Sequence, residues 1–196
     1  MRSLAALAAI SGLVVNIAIA QEGQRLPLQP TRLEALATQP AARVLWAKEM
    51  GQINSSEARV VVTALIVEDE AEPPGRMRGI RIFLSKQDVT DQVYIEEAKL
   101  EAVRKALAEI ARRVEEFHNE QSDTPLRYSG SAVFRQLNEN EMFHTLNAAY
   151  YIVPGSSGLS LSAFKDQEFR FPYHNPSELA ALIGRAMEEL KQQGGN

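Results

Sequence analysis

Across residues 97–118 the apolar side chains fall at Leu100, Val103, Leu107, Ile110, Val114 and Phe117. Spacings of three and four residues in alternation place them on one face of an α-helix. The opposite face sets Glu101 ahead of Lys105 and Glu109 ahead of Arg113, acid before base at i,i+4, which adds a few tenths of a kcal/mol per pair. Each apolar side chain contributes about 1.5–3 kcal/mol when buried, so the docked stripe outweighs the ion pairs. A second helix is predicted near the C-terminus. Asn175 can cap it, Pro176 takes the first helical position and Glu178 the third. Leu179, Leu182, Ile183, Ala186, Met187 and Leu190 form its apolar face, and Gly194 and Gly195 end it.

Elsewhere the period is that of strands. Residues 60–67 are apolar on both faces, as in a strand covered on both sides. A charged turn follows over 68–75. Residues 76–84 then alternate, with Ile80, Ile82 and Leu84 on one face and Arg81 and Phe83 on the other. A turn over 86–90 leads to a strand at 92–95. Further strands are predicted over 127–136, 142–153, 159–164 and 168–171, with 154–158 as a turn.

The N-terminal part reads differently. Thr31 and Glu34 have the capping-box spacing. Pro40 interrupts the run, since proline inside a helix costs about 3 kcal/mol. The pattern therefore predicts short helices near 32–38 and at 41–50, the second holding Val44, Leu45 and Trp46, the only tryptophan, as a core anchor.

The two halves echo one another. Thr63-Ala64-Leu65-Ile66 answers to Asn147-Ala148-Ala149-Tyr150, and Val93 and Ile95 answer to Phe169 and Phe171. Gly79, Lys86, Leu100 and Ala102 recur at one constant offset as Gly158, Lys165, Leu179 and Ala181. The expected fold is α+β. A mostly antiparallel sheet of six or seven strands carries two amphipathic helices on one face, built from a duplicated β-β-β-α unit (59–120 and 127–192) and preceded by short N-terminal helices. Residues 31–196 then form one domain.

If the apolar set faces the helices, the other sheet face carries Arg81, Phe83, Tyr94, Ser160, Ser162, Phe164 and Arg170. Aromatic and arginine side chains among small hydroxyls are what recognition surfaces favour. This face is the expected ligand or partner surface. The plainer reading is a half-solvated face, or one covered by residues 31–50.

The first twenty residues change the setting. Arg2, an uncharged run from Leu4, and Ala18-Ile19-Ala20 before polar Gln21 have the form of a secretory signal peptide cleaved after Ala20. The competing reading is an uncleaved anchor. The run is Ala-rich and includes Ser11, Gly12 and Asn16, where a spanning helix needs about 20 strongly apolar residues. The chain is thus expected outside the cytosol, periplasmic or secreted, with residues 21–30 as a flexible leader and no membrane association after cleavage. Formal net charge is −4 at pH 7, which disfavours nucleic acid as a partner. Cysteine is absent, which excludes disulfides, thiolate metal sites and a cysteine nucleophile.

Catalytic signatures are sparse. His118, His144 and His174 lack metal-ligand spacing to one another, and His118 is read as a charge at a helix C-terminus. Gly155-Ser156-Ser157-Gly158 lacks the G-x-S-x-G spacing and joins two strands, although Ser157 with His144 or His174 remains a candidate pair. Glu68, Asp69, Glu70 and Glu72 lack the ligand order of a calcium loop. Asn54-Ser55-Ser56 has the glycosylation spacing, and no glycine-rich phosphate loop is present. No metal, cofactor or catalytic residue is expected. The reading is a non-catalytic binding or interaction module for a protein or small-molecule partner. The rivals are a small hydrolase using a Ser/His pair, and an envelope-assembly subunit that homodimerises through the open face.

Overall fold

In the computed structural model, residues 30–70, 74–119, 128–134, 137–138, 141–142, 146–153, 156–163, 168–172 and 174–194 are described. Residues 1–29, which include the expected signal peptide and nearly all of the expected leader, lie outside them, as does Phe164. The fold is α+β. Strands β1 (Arg43–Asn54), β2 (Arg59–Glu68), β3 (Arg76–Lys86) and β4 (Val89–Glu96) form a four-stranded antiparallel meander. Helix α2 (Glu97–Asn119) follows. Strands β5 (Tyr128–Phe134), β8 (Leu146–Val153), β9 (Ser156–Ser162) and β10 (Phe169–Pro172) form a second antiparallel sheet. Between β5 and β8, β6 (Leu137–Asn138) pairs with β7 (Glu141–Met142), and α3 (Asn175–Gln193) closes the order. The described strands thus divide into two four-stranded sheets and a short ribbon, where one sheet was expected.

One hydrophobic core joins both sheets to both long helices. It takes Val60, Val62, Ala64 and Ile66 from β2, Ile80, Ile82 and Leu84 from β3, and Leu159, Leu161, Phe169 and Phe171 from β9 and β10. Leu100, Val103, Leu107, Ile110 and Val114 enter it from α2, as the helical spacing predicts. The helices pack on each other, and each reaches the sheet that does not immediately precede it. Helix α2 lies against β8, β5 and β9 as well as β3 and β4, while α3 lies chiefly against β1 and β2. Lys48 of β1 pairs with Glu189 of α3 at 2.5 Å, and Arg185 donates to the Met50 carbonyl at 3.3 Å. The sheets also touch directly, since Ser55 Oγ donates to the Arg170 carbonyl at 2.9 Å.

Three sequence expectations are corrected. Residues 43–54 are an edge strand, not a helix. The register of β1 on β2 skips Leu45 and again Met50, so the strand carries two bulges. The bulge at Met50 breaks the alternation between Trp46 and Ile53, so Trp46, Met50 and Ile53 acquire a spacing that imitates a helix. Trp46 does pack against the core, half-buried. In α3, His174 occupies the N-cap and Asn175 is helical, its amide donating to Glu178 at 3.0 Å. Strand β9 also begins earlier than expected, because Ser156, Ser157 and Gly158 pair with Val153, Ile152 and Tyr151.

Helix α1 (Arg32–Ala37) forms where the capping box predicts it, with the Thr31 hydroxyl accepting from Glu34 N at 3.1 Å. It covers part of the outer face of the first sheet, burying Leu33 and Leu36 with Leu65, Val67 and Tyr94. The same Thr31 hydroxyl donates to the Tyr94 carbonyl at 3.3 Å, tying the cap to β4. Thr31→Ala should therefore cost about 1–2 kcal/mol in a denaturant titration, the upper part of the range for a lost cap.

Candidate functional site

On the first sheet, Arg81 and Phe83 of β3 and Tyr94 of β4 point away from the long helices, as the alternation requires. Arg81 stands between Thr63 and Tyr94 in the ladder, and Phe83 between Val61 and Gln92. Tyr94 is only 7% exposed because α1 lies over it. Arg81 and Phe83, beyond the end of that cover, remain half-buried. The Arg81 Nε is buried without a hydrogen-bond acceptor among the described residues.

The remaining candidates belong to the second sheet. Ser160 of β9 stands directly opposite Arg170 of β10. Both converge on a residue that sequence reasoning missed. Ser160 Oγ donates to Glu168 Oε1 at 2.7 Å, and Arg170 Nη2 donates to Glu168 Oε2 at 2.9 Å. The signal was present, because positions 168 and 170 of a strand share a face. Ser162, half-buried, pairs with Asn147 in the ladder. The seven candidate residues thus divide: Arg81, Phe83 and Tyr94 on one sheet, Ser160, Ser162 and Arg170 on the other, and Phe164 outside the described residues. Within each set one pair stands across the ladder, Arg81 with Tyr94 and Ser160 with Arg170, and the third member lies two residues along the strand, Phe83 from Arg81 and Ser162 from Ser160.

The Arg170 and Ser160 hydrogen bonds hold the Glu168 carboxyl below its ordinary range. On α2, hydrogen bonds from Arg112 and Arg113 hold Glu109 down to about 2. A carboxylate with a folded-state pKa below its unfolded value of about 4.3 stabilises the fold above that pH and ceases to do so as pH falls through the folded pKa. Both side chains are solvent-accessible, so screening keeps the effect small. Glu109→Gln with Glu168→Gln should lose less stability than the parent between about pH 5 and pH 2, read from urea midpoints at each pH.

The other chemical candidates are occupied or dispersed. Glu68 pairs with Arg76 at 3.0 Å, Asp69 accepts from Gly75 N at 2.6 Å and Glu70 pairs with Arg43 at 3.4 Å, so the acidic turn is internally engaged. Among the described residues no group of three His, Asp or Glu side chains is placed to hold a metal ion, and no helix is long and apolar enough to cross a membrane. Ser156 and Ser157 open β9, and His174 lies exposed at the start of α3 without a side-chain cap bond. The side chains of His118 and His144 lie outside the description. Set against protein-family models and against curated proteins, the chain matches none.

Proposed function

We propose that the chain is a secreted or periplasmic, non-catalytic binding module, delivered by residues 1–20 as a signal peptide cleaved after Ala20, and that it engages its partner through the outer face of the first sheet. The observation that carries this is Arg81 beside Phe83. Both side chains stay half-buried on a face that α1 covers only in part, so each keeps surface that a partner can take up. Arginine and aromatic anchors also dominate binding energy in characterised interfaces.

The finer architecture supports a duplicated origin. Each half supplies a four-stranded antiparallel sheet and then a long helix that reaches the other sheet. Ile80 faces Ile95 and Ile82 faces Val93 in one half; Leu159 faces Phe171 and Leu161 faces Phe169 in the other. The ladders shift one part of the correspondence. Leu65 stands opposite Gly79 and Tyr151 opposite Gly158, so Leu65 answers to Tyr151 rather than to Ala149.

The test is a photo-crosslinking amino acid at position 83, with the protein expressed in its native host and the extracytoplasmic fraction analysed by mass spectrometry. A crosslinked partner that disappears with Arg81→Ala is the expected result. Labelling of Ser156 or Ser157 by a serine-reactive probe, with no crosslink, would point to the hydrolase instead.

A further inference from the structure

The part of the first sheet's outer face that α1 leaves open carries, besides Arg81, a second cation without an ion pair among the described residues. Residues of β2 alternate, with Val60, Val62, Ala64 and Ile66 in the core, so Arg59 shares the outer face with Val61 and Thr63. Arg59 is exposed, and neither it nor Arg81 makes an ion pair among the described residues. Glu49 of β1 stands level with Thr63 and Arg81, but two strand spacings put its backbone about 10 Å from that of Arg81.

The register fixes the geometry of the strip. Arg59 is level with Ser85, Val61 with Phe83, and Thr63 with Arg81. The two arginines are thus four residues apart along the strand direction, about 13 Å, with Val61 and Phe83 midway between them. A strip that runs along the strand direction suits an extended polypeptide better than a small molecule. Its two free cations, in a chain of net charge −4, are complementary to acidic groups.

Resting on the binding-module reading above, we propose that the partner presents an extended segment with carboxylates at positions i and i+4 and an apolar side chain at i+2. The carboxylates meet Arg59 and Arg81, and the apolar side chain lies on half-buried Phe83, beside the buried Val61. The extended chain supplies the match because four of its residues also span about 13 Å. Each carboxylate accepts charge-assisted hydrogen bonds from the Nη atoms of a guanidinium.

Two fluorescein-labelled peptides of the same composition provide the test, Gly-Asp-Thr-Leu-Thr-Asp-Gly and Gly-Thr-Asp-Leu-Asp-Thr-Gly, titrated by fluorescence anisotropy at low salt. The first should bind saturably and the second several-fold more weakly. Arg59→Gln and Arg81→Gln should each weaken the first by about tenfold, with thermal melts confirming that both variants are folded. Equal binding of both peptides, no saturation, or parent-like binding by both variants overturns the proposal. So does competition by phosphatidylglycerol vesicles or an oligonucleotide at lower concentration than the unlabelled peptide. If the position-83 crosslink captures an Arg81-dependent partner while neither peptide binds, the module reading stands and only this segment chemistry fails.

Discussion

Leu107→Glu will abolish the cooperative thermal melt. Leu107 is fully buried at the middle of α2, in the core that joins both sheets to α3. An unpaired carboxylate there either stays charged at prohibitive desolvation cost or takes up a proton and still leaves a polar group without a partner. Ile110→Glu, one turn on and equally within the core, should behave alike. Leu107→Ala separates charge from volume. It should cost about 2–5 kcal/mol, leaving a folded but weakened protein. Domains of this size have about 5–15 kcal/mol in hand, so the alanine variant survives where the glutamate variant does not. On the opposite face, Glu109 bonds Arg112 and Arg113, and Arg112 also bonds Glu116. Such exposed pairs contribute about 0.2–0.5 kcal/mol each, so Glu109→Gln at pH 7 should barely move the midpoint. Circular dichroism melts of the four variants order these effects. A Leu107→Glu protein that kept the parent's cooperative transition would remove α2 from the core.

The elements that were legible in the sequence are those whose period survives folding. Helices α2 and α3 keep their stripes, β3 and β4 keep their alternation, and β2 is buried on both faces as its unbroken apolar run implies, because local geometry alone sets which side chains share a face. Strand β1 was illegible because its two bulges break the alternation that would have revealed it. The division into two sheets was hidden for another reason. Pairing β5 with β8 across the β6–β7 ribbon is a non-local choice that no window of sequence contains. The candidate surface shows the same limit. Alternation put Arg81, Phe83 and Tyr94 on one face together with Ser160, Ser162 and Arg170, but could not show that the two groups belong to different sheets. The capping box at Thr31 announced α1, yet its tie to Tyr94, a contact 63 residues away in sequence, is what removes that tyrosine from the exposed strip.

Gly79→Ala and Gly158→Ala should each destabilise the protein by about 3 kcal/mol, the severe end for overpacking. A Cβ on Gly79 would collide with the Ile95 carbonyl oxygen of β4 and would also stand 2.6 Å from the Leu33 side chain of α1. A Cβ on Gly158 would collide with the Phe171 carbonyl oxygen of β10. In both, the obstacle is main chain held in a ladder, which cannot swing aside as the end of a long side chain can. Glycine inside a strand commonly marks such a close backbone approach. Gly184→Ala is the opposing control. A Cβ there meets only Arg104 Cδ at 3.7 Å, ordinary contact, and alanine in a helix interior should add about 0.5–1 kcal/mol. The pair also discriminates between origins. Gly79 faces Glu96 at the β3–β4 end and Gly158 faces Pro172 at the β9–β10 end, and Ile95 and Phe171 occupy the same register position beside them. Two descendants of one hairpin should be intolerant alike once the Leu33 contact unique to Gly79 is relieved. Gly79→Ala combined with Leu33→Ala, compared with Leu33→Ala alone, isolates the main-chain collision. If its cost then matches that of Gly158→Ala in urea midpoints, the two sites share one constraint. If Gly158→Ala is tolerated, the resemblance between the halves reaches strand order and goes no deeper.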